Sequence, residues 1–185
     1  SGTAVVCHPN PQQGGTMRNK VVTMLERALP ESGLATVRFN FLGVGASTGT
    51  FDNGDGESGD LVAVAQWVRK VHPDDALWLA GFSFGSYIAL RCARSLGADA
   101  LVTVAPPVGR YEFGEMAMPG CPWLVVQGEE DEVVDPQGVF DWVETLDPMP
   151  SVVRMPETGH FFHRKLMDLR GAIKNAVRGW LPPAR

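Results

Sequence analysis

The residue best placed to do chemistry in this sequence is a serine in a glycine-flanked turn. Ser83 is the centre of the pentapeptide GFSFG at 81–85, which follows an apolar run at 76–80 and precedes a segment with helical spacing. A sharp turn between a strand and a helix strains the serine backbone and lifts its hydroxyl above the sheet, and only small residues fit two positions to either side. The pattern therefore predicts a nucleophile at Ser83. It also predicts that the backbone N–H of Phe84, which opens the helix, donates to an oxyanion.

A serine nucleophile needs an imidazole to take its proton, and the chain has four histidines. His160 is our predicted base because it lies in the loop after the last predicted strand. His163, near the start of the last helix, is kept as an alternative, although packing behind the site is the simpler role for it. His8 ends the first predicted strand and fits a structural hydrogen bond to backbone, and His72 fits a helix end.

The third group is a carboxylate that holds the imidazole in the correct tautomer. An acidic loop at 128–134 follows the predicted strand 123–127. We favour Asp131 because serine, acid and histidine follow in this order on sheets of this type, with the acid after a strand and a glycine-led turn. Glu130 and Glu132 remain alternatives, and Asp135 is the expected cap of the following helix.

The loop after the first predicted strand should supply the second oxyanion donor. It reads His-Pro-Asn-Pro at 8–11. Pro9 and Pro11 have no backbone N–H, so the N–H of Asn10 is the one free to bind an oxyanion.

Short apolar runs alternate with helical patterns along the whole chain. Strands are expected near 3–7, 36–40, 76–80, 101–105, 123–127 and 151–155, and helices near 17–29, 60–71, 84–96, 137–145 and 166–180. Several strands are apolar on both faces, which is typical of a parallel sheet covered by helices on both sides. We therefore expect a single α/β domain over 1–185. Because the chain begins inside a strand and without Met, we also expect residues upstream of it to be missing.

Composition narrows the class of partner. The chain has 185 residues, 44% hydrophobic and 20% charged, with a formal net charge of -5 and no basic cluster, so nucleic acid is not an expected partner. No apolar run approaches the roughly 20 residues that span a bilayer. The three cysteines lack metal-ligand spacing and suit free thiols in a cytoplasmic protein.

Two segments superficially resemble binding loops but do not match them. The glycine-rich segment 43–49 follows a strand but opens no helix, so it does not match a dinucleotide-binding loop. Carboxylates at 52–60 do not match the spacing of a calcium loop, and helix capping, with Ser58 and Asp60 as caps, is the simpler interpretation. We predict no metal and no cofactor.

Several motifs together resemble a known family. They are HPNP at 8–11, GGTMRNKVV at 14–22, RFNF at 38–41, FDNGDGE at 51–57 and GFSFG at 81–85. In these the chain resembles a small, lidless bacterial branch of the α/β-hydrolase superfamily, near the dienelactone-hydrolase-like proteins. The resemblance implies a triad of Ser83, Asp131 and His160, and a sheet in which the strand near 36 lies outside the strand near 3. By the same resemblance, the first two strands of a complete member are missing here. Dienelactone hydrolases proper use a cysteine nucleophile, so their substrate is not carried over.

The short connection at 106–122 is too short for the helical cap that many such hydrolases insert there. We therefore expect an open crevice that accepts small acyl groups. The expected activity is cleavage of small acyl esters or thioesters. The alternative is a catalytically silent α/β-hydrolase scaffold that binds a small ligand or a protein partner.

Overall fold

Six parallel strands form a sheet in the computed structural model, which describes residues 1–183. In chain order they are β1 (Gly2–Cys7), β2 (Ala35–Arg38), β3 (Ala76–Phe82), β4 (Ala100–Val104), β5 (Trp123–Gly128) and β6 (Ser151–Met155). Their spatial order is β2-β1-β3-β4-β5-β6, and each neighbouring pair is parallel. The sequence-based prediction that the second strand lies outside the first is confirmed.

Helices cover both faces of this sheet. They are α1 (Lys20–Glu31), α2 (Asp55–Val71), α3 (Phe84–Leu96), α4 (Pro136–Glu144) and α5 (Leu166–Val177). One core joins the sheet to α2, α3 and α4, and a second core joins the opposite face to α1 and α5. Alternate strand residues enter alternate cores, so the strands are apolar on both faces and the predicted α/β-hydrolase architecture is confirmed.

The first helix begins later than its apolar spacing predicts. Helical spacing suggests a start at Met17, whereas α1 begins at Lys20. The side chain of Asn19 accepts hydrogen bonds from the N–H groups of Val21 and Val22, at 2.8 and 3.3 Å. This capping bond fixes the helix start, because Asn at the N-cap satisfies donors that have no partner within the helix.

The second helix begins earlier than predicted. We expected it to start at residue 60 with Ser58 and Asp60 as caps, but α2 starts at Asp55. The fully buried carboxylate of Glu57 accepts hydrogen bonds from the N–H groups of Asp52 and Gly54, at 2.9 and 2.8 Å. The acidic segment therefore caps the start of α2, and the capping side chain is a glutamate inside the first helical turn.

Loops at the carboxyl ends of β1, β3, β4, β5 and β6 meet at one edge of the sheet. In a parallel sheet this edge is where ligand sites form. Residues 105–122, between β4 and β5, contain no helix, so the predicted absence of a cap is confirmed. No helix within residues 1–183 is both long and apolar enough to cross a bilayer.

Candidate active site

Ser83 lies in a strained turn between β3 and α3. Its backbone has φ 54° and ψ -119°, outside the regions that non-glycine residues favour. A Cβ atom at Gly81 would come within 2.3 Å of the Gly85 backbone carbonyl, and one at Gly85 within 2.2 Å of the Cys7 carbonyl oxygen. Only glycine fits at these two positions, and the tight packing holds the serine hydroxyl above the sheet edge.

Three side chains from distant loops form a hydrogen-bonded row. The Oγ atom of Ser83 lies 3.1 Å from Nε2 of His160, and Nδ1 of His160 lies 2.7 Å from Oδ2 of Asp131. All three residues are buried, with exposed fractions of 9%, 3% and 8% for Ser83, His160 and Asp131. Because an ionised carboxylate can only accept, His160 donates from Nδ1, and its Nε2 lone pair is left to accept the serine proton.

The carboxylate of Asp131 is held by backbone as well as by the imidazole. Its Oδ1 atom accepts hydrogen bonds from the N–H groups of Val133 and Val134, at 2.8 and 2.7 Å. Burial opposes ionisation, but the hydrogen bonds from His160 and from these two N–H groups outweigh it and lower the pKa of Asp131. The group is therefore a stable anion beside the imidazole at neutral pH.

The alternative carboxylates are arranged differently. Glu130 is exposed, and Glu132, also exposed, accepts a hydrogen bond from the backbone N–H of His160 at 3.2 Å. Neither takes the place of Asp131 on the imidazole ring. Asp135 caps α4, as the sequence predicts, by accepting from the N–H of Gln137 at 3.1 Å.

The other histidines lie outside the row. His163 is exposed, and His72 ends α2 at its C-cap. His8 is fully buried, and its Nε2 atom accepts from the N–H of Phe41 at 3.0 Å. Nδ1 of His8 is therefore protonated and donates to the carbonyl oxygen of Pro9 at 2.8 Å.

The predicted oxyanion donors lie beside Ser83. Phe84 and Asn10 line the same crevice as the serine. Phe84 is the first residue of α3, where backbone N–H groups have no partner within the helix. The bond from His8 to the Pro9 carbonyl fixes the peptide unit whose other end is the N–H of Asn10. The Asn10 side chain in turn accepts from the N–H of Gln12 at 2.8 Å.

The crevice beside Ser83 is small. Its volume is about 20 Å³, comparable to that of one water molecule. Pro107, Arg110 and Tyr111, from the loop between β4 and β5, form the wall opposite Asn10. The ring of Tyr111 stacks on that of Tyr87 at 4.7 Å. The short loop between β4 and β5 thus lines the site, and it contains no helix that could form a cap.

One polar contact of the row escaped the sequence analysis. Gln127, the fully buried residue before Gly128 in β5, donates from Nε2 to Oδ2 of Asp131 at 3.1 Å. The only signal in the sequence is an amide at the end of the apolar strand 123–127, four residues before the aspartate.

No cysteine is a member of this row, although Cys7 lies beside the serine turn. All three are free, with Cys7 and Cys92 buried and Cys121 half-buried. Burial raises the pKa of each thiol, to about 11 for Cys121. Within residues 1–183, the His, Cys, Asp and Glu side chains form no group of three or more that could hold a metal ion.

Comparisons with known proteins show the family of this chain. Residues 12–169 match the alpha/beta hydrolase domain family. A lidless a/b serine hydrolase of Xanthomonas campestris is 58% identical, with a TM-score of 0.96 over 99% of this chain and 84% of that one. An alpha-beta serine hydrolase homologue of Coxiella burnetii is 47% identical, with a TM-score of 0.92 over 94% of this chain and 84% of that one.

A sequence relative extends the comparison to a third organism. An uncharacterized protein of Rickettsia prowazekii is 34% identical in an alignment of 182 positions, which covers 93% of this chain and 76% of that protein. The family match over residues 12–169 and the similarity to the two serine hydrolases support hydrolase activity. The protein therefore belongs to the alpha/beta hydrolase domain family.

Proposed function

We propose that the protein is a serine hydrolase that cleaves small acyl esters or thioesters through an acyl-enzyme on Ser83. The observation that carries this proposal is the continuous row from Ser83 Oγ through His160 to Asp131, with contacts of 3.1 and 2.7 Å. A serine hydroxyl is a weak nucleophile near neutral pH, and this row contains the groups that would activate it.

In the first half of the reaction, Ser83 Oγ attacks the acyl carbonyl carbon while Nε2 of His160 takes the hydroxyl proton. The carbonyl oxygen becomes an oxyanion and accepts hydrogen bonds from the backbone N–H groups of Phe84 and Asn10. Asp131 stabilises the imidazolium that forms. Collapse of the tetrahedral intermediate breaks the bond to the leaving alcohol or thiol, which takes the proton from His160.

In the second half, water attacks the acyl-enzyme. His160 takes a proton from the water as it attacks, and the same oxyanion donors bind the second tetrahedral intermediate. Collapse of that intermediate breaks the bond to Ser83 Oγ, which recovers its proton from His160. The product is the free carboxylic acid.

The dimensions of the crevice support a small acyl group. A space of about 20 Å³ beside Ser83 leaves little room for a long acyl chain. Tyr111 lines this space and limits how far an acyl chain could extend into it. Short acyl groups, or acyl groups that point away from this wall, fit the proposal best.

A panel of p-nitrophenyl esters of increasing chain length tests this function. The proposal predicts hydrolysis that is fastest for the shortest acyl groups and is abolished in Ser83→Ala. A folded wild-type protein that hydrolyses no member of the panel favours the alternative, a silent scaffold that binds a small ligand or a protein partner.

A further inference from the structure

We propose that Gln127 is a positioning residue for the catalytic row, holding the Asp131 carboxylate so that its Oδ2 atom stays on the imidazole of His160. This inference rests on the proposed function, because it assigns Gln127 a role in that reaction. Gln127 contacts neither the serine nor the crevice beside it. Its effect would reach the reaction only through the aspartate.

The carboxylate of Asp131 accepts four hydrogen bonds. Oδ1 of Asp131 accepts from the N–H groups of Val133 and Val134, at 2.8 and 2.7 Å. Oδ2 accepts from Nδ1 of His160 at 2.7 Å and from Nε2 of Gln127 at 3.1 Å. Backbone thus fixes one oxygen, while the oxygen that meets the imidazole has Gln127 as its second donor.

The amide orientation of Gln127 follows from its neighbours. Its nitrogen also donates to the carbonyl oxygen of Gly128, at 2.9 Å. Both neighbours, a carboxylate and a carbonyl, can only accept, so the NH₂ group must face them. The hydrogen bond to Gly128 holds the amide against the end of β5, the strand that precedes the aspartate loop. The amide nitrogen is therefore held in place as a donor to Oδ2 of Asp131.

The amide oxygen of Gln127 makes this side chain unfavourable for the stability of the fold. Oε1 of Gln127 is buried and has no hydrogen-bond partner among residues 1–183. An unpaired buried acceptor destabilises a fold, because it loses its hydrogen bonds to water and gains none in return. Trp123 and Val125 precede Gln127 on the same face of β5 and belong to the apolar core under α4, so an apolar side chain would suit the position better. A glutamine that is poor for packing but bonded to the aspartate fits a role in positioning.

Gln127→Met is the first test, because it keeps the length of the side chain and removes the donor. We expect kcat for p-nitrophenyl acetate to fall about 10- to 100-fold with KM nearly unchanged, since only the orientation of the base is lost. The unfolding midpoint should stay the same or rise, because the unpaired amide oxygen is gone.

Thr103→Val is the matched control. Thr103 is fully buried in neighbouring β4, and its hydroxyl accepts from Trp123 Nε1 at 2.9 Å and donates to the Leu124 carbonyl at 3.1 Å. Removing this hydroxyl should lower stability and leave kcat within about threefold of the wild type. A loss of kcat in the control as large as that in Gln127→Met overturns the positioning role.

Gln127→Glu provides a second test with its own signature. Near neutral pH the new carboxylate repels Asp131, and at lower pH a shared proton restores a donor between them. The rate relative to wild type at the same pH should therefore rise as the pH falls from 8 to 5. A ratio that is constant across this range contradicts the proposal.

An observation that does not depend on activity separates this inference from the proposed function. In the downfield proton NMR spectrum, the Nδ1 proton of His160 should shift or broaden in Gln127→Met and stay in place in Thr103→Val. If wild type hydrolyses no ester but this proton responds, the function is wrong and the positioning role stands. An unchanged Nδ1 proton in Gln127→Met overturns the role of Gln127, whatever the activity of the wild type.

Discussion

The Nδ1 atom of His160 lies 2.7 Å from Oδ2 of Asp131, and the carboxylate side chain is fully buried. The two residues are separated by 29 positions in the sequence and follow neighbouring strands, β5 and β6. The contact fixes which nitrogen of the imidazole ring lies beside Ser83. It also keeps the negative charge next to the ring nitrogen that becomes positive during acyl transfer.

Asp131→Asn should therefore leave the fold intact and lower kcat by about 10³- to 10⁴-fold, because an amide cannot stabilise the imidazolium. Steady-state hydrolysis of p-nitrophenyl acetate measures this loss. Glu132→Gln is the control, since Glu132 is exposed and accepts from the backbone N–H of His160 rather than from its ring. A larger loss of kcat in Glu132→Gln than in Asp131→Asn would show that the carboxylate role belongs to Glu132 and not to Asp131.

Asn10→Pro tests the second oxyanion donor, because proline has no N–H. The φ of Asn10 is -53°, close to the value that proline requires. We expect kcat/KM to fall about 10²- to 10³-fold, the usual effect of removing one oxyanion donor.

Asn10→Ala is the matched control for that variant. It also loses the side-chain bond to Gln12 but keeps the backbone N–H. Equal losses of kcat/KM in the proline and alanine variants would exclude the Asn10 N–H as a donor.

Tyr111→Ala should widen the crevice and change acyl preference. The ring of Tyr111 lies 4.7 Å from that of Tyr87 and 5.5 Å from that of Phe84. Its removal should raise the kcat/KM ratio of p-nitrophenyl butyrate to acetate by about 10-fold, in line with the value of one or two methylene contacts. Tyr111→Phe retains the ring and should keep the wild-type ratio. An unchanged ratio in the alanine variant would mean that the acyl chain lies elsewhere.

His8 should make stability depend on pH just below neutrality. Burial lowers its pKa from the ordinary value of 6.5, and its Nε2 atom must stay unprotonated to accept from Phe41. Above pH 6.5 the residue is neutral in both states. Below that value the unfolded chain takes up a proton first, so the free energy of unfolding should decrease as the pH falls.

Urea denaturation between pH 7 and pH 5 measures the effect of His8. The decrease should be smaller in His8→Gln, because glutamine does not titrate in this range. A wild-type free energy of unfolding that rises as the pH falls through this window would be inconsistent with a buried neutral His8.

Much of this arrangement could be predicted from the sequence because each predicted site residue follows a strand at its carboxyl end. The glycines around Ser83 mark a turn that only one backbone path allows, and the order of Ser83, Asp131 and His160 along the chain fits strands β3, β5 and β6. Helix starts were less predictable, since α2 begins where Glu57 reaches back to two backbone N–H groups. Such a bond depends on loop geometry rather than on apolar spacing.

The lining of the crevice and the contact from Gln127 were not predictable for a similar reason. The wall formed by Tyr111 depends on how residues 105–122 fold back over Tyr87, and no periodic pattern encodes that path. Gln127 lies in an otherwise apolar strand, so its sequence context indicates burial but not the partner of its amide.

Covalent labelling with a fluorophosphonate probe, followed by peptide mapping, tests the central claim most directly. The account predicts one probe adduct per chain, located on Ser83, with labelling lost in Ser83→Ala and strongly slowed in Asp131→Asn. A folded wild-type protein that stays unlabelled, or a Ser83→Ala variant labelled as fast as wild type, would contradict it.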